Sequence, residues 1–278
     1  MKKIKTFFTE QNMTWCKVLI FAVVTAVYTA LVNQVSFLAG TSFRDIAINL
    51  ECWILFAVFI IVNCKKWWEA SLKCFVFFLV SQPLIYLIEV PFSSMGFGLF
   101  SYYKYWAILT VLTLPGAVAA YQLRRKDWLS VAVLSVANGF LAYTAVRYLK
   151  SAWGDFPHHL LSGIFCVALI LFFVFVLLDN KKHRLAALLL AVAVLVGSAV
   201  FLLRDISVEI PLDAGDWTCT LEDDTVAEVR QSEDGDSVKV IARHDGCTFL
   251  HLQKEDGTYI TYCVTVSGGG VFLNTMDE

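Results

Sequence analysis

The residues able to do chemistry in this chain are polar groups set in apolar surroundings: Asn33, Gln34, Asn49, Glu51, Glu89, Arg147, His158 and His159. Carboxylates, amides and imidazoles can hydrogen-bond a solute, pass a proton or coordinate an ion. Each is costly to hold in hydrocarbon, so its presence there asks for a reason. These residues sit near the ends of five long apolar runs. If successive runs alternate in direction, all of them reach the same side and can line a polar cavity open there. The competing reading makes them interfacial groups that reach back to water or pair with each other, for example Glu89 with Arg147.

Other chemistries narrow quickly. His158-His159, with Glu51 and Glu89, offers residue types that suit zinc. Neighbouring positions on a helix, however, point about 100° apart, and no His-Glu-x-x-His spacing occurs, so no metal site is expected. The chain has no Gly-x-Ser-x-Gly elbow, no Glu-Glu-x-x-x-Arg run, no P-loop and no dinucleotide fingerprint. The expectation is therefore a non-enzymatic protein without a cofactor. The acidic clusters Glu222-Asp223-Asp224 and Glu233-Asp234-Gly235-Asp236 lack the spacing of a calcium loop and read as solvated surface. That surface excludes nucleic acid as a partner.

The elements that must position these groups follow from composition. The 278 residues are 58% hydrophobic and 17% charged, with a mean hydropathy of +0.66, which no water-soluble domain of this length requires. Charge is unevenly divided: residues 1–204 hold 18 Lys and Arg against 8 Asp and Glu, and residues 205–278 hold 4 against 16. Two physical objects meet near residue 204. Within the first, seven apolar runs, 18–39, 46–64, 72–90, 105–122, 128–147, 160–178 and 185–203, have the roughly 20 residues that cross about 30 Å of hydrocarbon. The expected architecture is an all-α polytopic bundle of seven transmembrane helices, its partner the lipid bilayer. With the N-terminus inside, the inner segments carry 13 Lys and Arg and the outer ones 5, which orients the chain by the positive-inside rule, N-terminus cytoplasmic and C-terminus extracellular. Pro83 and Pro115 fall inside two runs and are expected to kink them. The aromatic loop 91–104 between those runs is expected to anchor in the headgroups.

From residue 205 the pattern changes to short alternating segments, among them Val238–Ala242, Thr248–Leu252 and Tyr259–Val266. Asp-Gly pairs at 234, 245 and 256 punctuate them. About six strands are expected to form a small all-β sandwich over 205–278. If Asp256-Gly257 is a two-residue hairpin turn, Cys263 faces Leu250 and Cys247 lies on the opposite face, so a disulfide would join Cys219 to Cys247 or Cys263.

Three stretches of this region resemble the bacterial Ig-like repeats of group 2. They are Trp217 through Val226-Ala-Glu-Val229, Val240 through Gly246-Cys-Thr-Phe-Leu250, and Asp256-Gly257 through Val264-Thr-Val266. The resemblance covers about 217–266 and implies an Ig-like extracellular sandwich on a bacterial surface, serving as spacer or adhesion module without catalysis. Two functions follow for the whole chain. One is a non-enzymatic protein of the bacterial cell envelope that presents 205–278 to another envelope protein or the cell wall. The alternative is a transporter, channel or substrate-binding component with an outward-facing polar pocket. The lack of charge at mid-span favours the first, and a span count beyond what an anchor needs favours the second.

Overall fold

The computed structural model describes residues 2–278 except 155, 203–206, 214–215, 233–234, 268–269 and 276–278. The chain divides into two compact units, Met1–Leu202 and Leu203–Glu278.

The first unit is helical. A short helix, α1 (Lys2–Thr9), precedes α2 (Trp15–Gln34), α3 (Ser42–Ile48), α4 (Leu50–Val62), α5 (Trp67–Glu89), α6 (Tyr103–Ala120), α7 (Trp128–Gly154), α8 (Leu160–Leu177) and α9 (Lys181–Leu202). Six of these, α2 and α5 to α9, are long and apolar enough to cross a membrane. The run expected at 46–64 is not one helix. It is the pair α3–α4, bent by 45° at Asn49, where the backbone is extended (φ −86°, ψ 160°). Asparagine favours such a helix-start position, but here its side chain turns away from the cap to another helix. Pro83 and Pro115 lie inside α5 and α6, which run on through them. The first expected run also stops short: α2 ends at Gln34, and Ser36–Leu38 is a turn of 3-10 helix.

The packing has two large apolar centres, both supplied by α4. Val58 and Val62 pack with Leu134, Leu141, Phe173 and Val174 of α7 and α8, while Trp53, Ile60 and Ile61 pack with Phe77 and Phe78 of α5. The buried face of α2 is made of small residues at four-residue spacing, Ala22, Ala26 and Ala30. This is how helices approach closely where lipid supplies no hydrophobic drive of its own. At one end of the unit Asn63 accepts from Gln11 N at 2.6 Å and donates to the carbonyls of Phe8 and Phe59 at 2.7 Å, which seats α1. Buried Lys73 is satisfied nearby by Glu69 and the Met13 carbonyl.

The second unit is all-β in two sheets. Its strands are β1 (Ser207–Pro211), β2 (Trp217–Leu221), β3 (Ala227–Gln231), β4 (Ser237–Ala242), β5 (Gly246–Lys254), β6 (Tyr259–Ser267) and β7 (Gly270–Thr275). The sheet orders are β1-β4-β3 and β2-β5-β6-β7, with every pairing antiparallel. Val238 and Val240 of one sheet share a core with Leu250, Leu252, Val264 and Trp217 of the other. Gly246 is required by a close approach, since a Cβ there would lie 2.9 Å from the Val226 side chain.

The cysteine pairing expected from the sequence is corrected by the β5–β6 register. Cys263 pairs with Phe249, not with Leu250. The turn is a three-residue loop closed by Lys254 N to Thr258 O at 2.9 Å, with Gly257 at φ +92°, the form in which a left-handed glycine makes a bulge. The one-residue slip puts Cys247 and Cys263 on the same face, their sulfurs 3.2 Å apart. Cys219 is opposite Leu252 and turns toward the core. The contact with Cys247 holds the Cys263 thiol above its ordinary range. Oxidation of the intact protein is expected to link Cys247 to Cys263 and leave Cys219 as the unbridged thiol of the β unit. Non-reducing peptide mapping checks this, and a bridge to Cys219 would contradict it.

Candidate functional site

Five of the eight polar residues picked out by sequence, Asn33, Asn49, Glu89, His158 and His159, meet at the end of the helical unit where α2 and α5 finish and α8 begins. They form two networks rather than one. In the first, the Asn33 amide nitrogen donates to Glu89 Oε1 at 2.7 Å, and Arg44 Nε donates to Asn33 Oδ1 at 2.8 Å. Glu89 thus answers to Asn33 and, through it, to Arg44, instead of pairing with Arg147. It is 6% exposed and is the last residue of α5, where the negative end of the helix dipole disfavours a carboxylate.

This network forms part of the wall of a cavity of about 370 Å³, whose other lining groups include Asn49, Trp53, Gln82 and Trp106. Leu99 and Tyr102 of the loop 91–104 also line it, so that loop contributes to the site. Gln82 is 1% exposed, and its amide nitrogen has no hydrogen-bond partner among the described residues. A buried donor left unmatched costs about 1–3 kcal/mol, and the cost is no smaller in an apolar bundle. A somewhat larger cavity, about 420 Å³, lies at the opposite end beside α1, lined by Ile4, Leu171, Phe172 and Phe175 with Lys5 and Arg184 at its edge. Its walls are apolar, which suits a lipid chain more than a polar solute.

The second network joins α3 to the turn that opens α8. Asp45 Oδ2 lies 2.6 Å from His159 Nδ1 and 3.2 Å from His158 Nε2. The Ser162 hydroxyl is 3.5 Å from the same oxygen and 3.4 Å from the Ser42 carbonyl. The two histidines are not on a helix. They end a turn, and His159 has a left-handed backbone, φ +67°, which brings the rings face to face with centroids 3.6 Å apart. Tyr148 stacks on His159 at 5.7 Å, and its hydroxyl accepts from the Asn49 amide at 2.5 Å. Asn49 therefore lines the cavity and also holds the tyrosine of the second network.

The remaining predicted residues stay outside. Gln34 and Arg147 are exposed. Glu51 is 5% exposed in the first turn of α4, where the helix dipole welcomes it. Arg44, Asp45 and Gln82 were not singled out by the sequence as site residues. Arg44 and Asp45 looked like interhelical loop, and Gln82 stood only as the neighbour of Pro83.

Six helices of membrane-spanning length and apolar character define the class, a multi-pass membrane protein, here with a polar cavity at one end of the helical unit and a separate all-β unit. Compared with family models, curated proteins and solved structures, the chain has no match.

Proposed function

We propose that this is a substrate-binding or transport component of a bacterial envelope membrane, with α3–α4 serving as a seventh, bent span. In this reading the N-terminus is cytoplasmic, as the inner excess of Lys and Arg supports, and the cavity opens to the outside. The observation that carries the reading is Gln82, a fully buried amide donor without a partner among the described residues, on the wall of a cavity that also holds Glu89. Ser81 and Asn138 also bury polar atoms without a partner among the described residues, but only Gln82 of the three lines the cavity, where a bound solute could match its donor. The solute fitting these walls is small, carries an acceptor for the Gln82 amide and a hydroxyl or amine for Glu89, and lays an apolar face on Trp53 and Trp106.

The β unit serves in this reading as an outer module of the Ig-like kind, available to an envelope protein or the cell wall. Its acidic, Trp217-centred sequence supports that assignment. The helical unit is then a working part and not only an anchor, because a mere anchor gains nothing from a buried, mismatched amide beside a carboxylate.

Native mass spectrometry of the full-length protein, extracted gently from its own membrane, tests the proposal. A reproducible small-molecule adduct is expected, lost in Gln82→Leu and weakened in Glu89→Gln. An adduct that survives both substitutions, or an empty wild-type protein, would return the helical unit to the role of anchor.

A further inference from the structure

We infer that Asp45, His158 and His159 form a binding site for a divalent transition-metal ion, separate from the solute cavity and independent of its assignment. Asp45, His158 and His159 each offer one ligand atom, and these atoms lie within 4.8 Å of one another. Three protein ligands around tetrahedral zinc, at metal–ligand distances near 2.0–2.1 Å, stand roughly 3.4 Å apart. The 3.2 Å separation of His158 from Asp45 already meets this. The 2.6 Å separation of His159 from Asp45 needs to open by several tenths of an ångström, within the reach of a small side-chain rotation.

The arrangement converges on one point. A single carboxylate oxygen faces both imidazoles and the Ser162 hydroxyl, whereas an ordinary ion-pair cluster can divide its donors between the two oxygens. Two nitrogens and one oxygen form a donor set suited to zinc and its first-row neighbours. The obstacle seen in the sequence, neighbouring histidines diverging on a helix, is removed by the left-handed backbone of His159, which stacks the rings. That conformation is uncommon for a residue with a side chain.

The surroundings also match what a metal ligand needs. Tyr148 packs flat on His159 and is itself held by Asn49, which fixes the ring plane as outer contacts do around bound metals. The three side chains are 16–24% exposed, enough for an ion and its water to enter. Three protein ligands leave one position for water, beside the Ser162 hydroxyl.

The test uses the full-length protein, without a polyhistidine tag, purified without chelator. Elemental analysis and titration of the chelator-stripped protein with Zn²⁺ or Co²⁺ are expected to give one equivalent, with the visible absorption of four-coordinate cobalt on nitrogen and oxygen ligands. Asp45→Asn and His159→Gln should weaken binding by more than the roughly 10–100-fold that loss of an outer-shell partner costs. His183→Gln should bind as the wild type does, because His183 lies at the opposite end beside the Lys126 carbonyl. Should either variant fail to fold, His158→Gln, which removes the third ligand, takes its place and is expected to weaken binding in the same way. A sulfur-to-cobalt charge-transfer band would place the ion on cysteine and overturn the site. Absence of uptake by the wild type, or unchanged affinity in folded Asp45→Asn and His159→Gln, would overturn it too. Retention of metal by Gln82→Leu separates this outcome from the fate of the solute cavity.

Discussion

Replacing Asn63 by Leu is expected to release the amino-terminal helix while the rest of the bundle stays folded. Asn63 is 8% exposed at the end of α4. Its amide holds three backbone groups: the Phe8 and Phe59 carbonyls and the Gln11 N–H. Leucine fills similar space and meets none of them. Leaving a buried backbone group unmatched costs about 1–3 kcal/mol. Phe59 is on the same helix, so its share is not a tie to α1. The two bonds to Phe8 and Gln11 together are worth on the order of 3 kcal/mol, which is about 100-fold in the opening equilibrium.

What remains on α1 is modest. Phe8 packs on Phe59 at 5.3 Å and edge-on to Phe172 at 4.9 Å, and Lys5 pairs with Asp179 at an exposed position, a contact of small value in water. Hydrogen–deuterium exchange of the detergent-solubilised protein reads the result directly. Protection over residues 2–13 should fall by roughly 100-fold, with little change in α5 or α8. Unchanged protection would mean that the aromatic contacts alone hold α1.

How much of this was legible in the sequence depended on the range of the interaction that decides each feature. The apolar runs were legible because hydrocarbon thickness sets their length, and α5 to α9 appear close to where periodicity and composition put them. The polar residues at one end were legible as a group because each is expensive in an apolar run. Their division into two networks was not, because it depends on contacts such as Asp45 with His159, 114 residues apart. The break at Asn49 turned on a single asparagine whose side chain serves a tyrosine 99 residues away, and no window of local sequence contains that choice. The same limit explains the cysteines. Asp256-Gly257 marked a turn correctly, but the loop's length of three set the register, and one residue of slip exchanged the faces of Cys263. The helix α1 was passed over because eight residues with three lysines look like a basic tail until Asn63 and Phe172 supply its partners.

Trp53→Ala is expected to produce the largest loss of stability and to couple it to the cavity. Trp53 is 1% exposed and lies within 6.1 Å of four aromatic rings, those of Phe56, Phe77, Phe78 and Trp106. It belongs at once to the buried cluster of α2, α4 and α5 and to the cavity wall. Truncating a buried tryptophan to alanine costs about 3–5 kcal/mol in water-soluble proteins, part of it transfer from water and part the hole left behind. Between helices in lipid the transfer part shrinks, because acyl chains are as apolar as the side chain. The lost dispersion contacts remain, since the vacated space has no atoms to replace them. The low end, about 3 kcal/mol, is therefore expected, which lowers the Tm of a unit this size by roughly 6–12 °C. Trp53→Phe keeps one ring among its neighbours and should lose less than half as much. The two variants also bear on binding. If Trp53 only fills the core, a solute adduct should survive in Trp53→Phe at its wild-type level once folding is matched by temperature. If it is the apolar floor of the cavity, the adduct should weaken in Trp53→Phe and vanish in Trp53→Ala, in step with the loss seen for Gln82→Leu. A stable Trp53→Ala protein with an undiminished adduct would remove Trp53 from both roles.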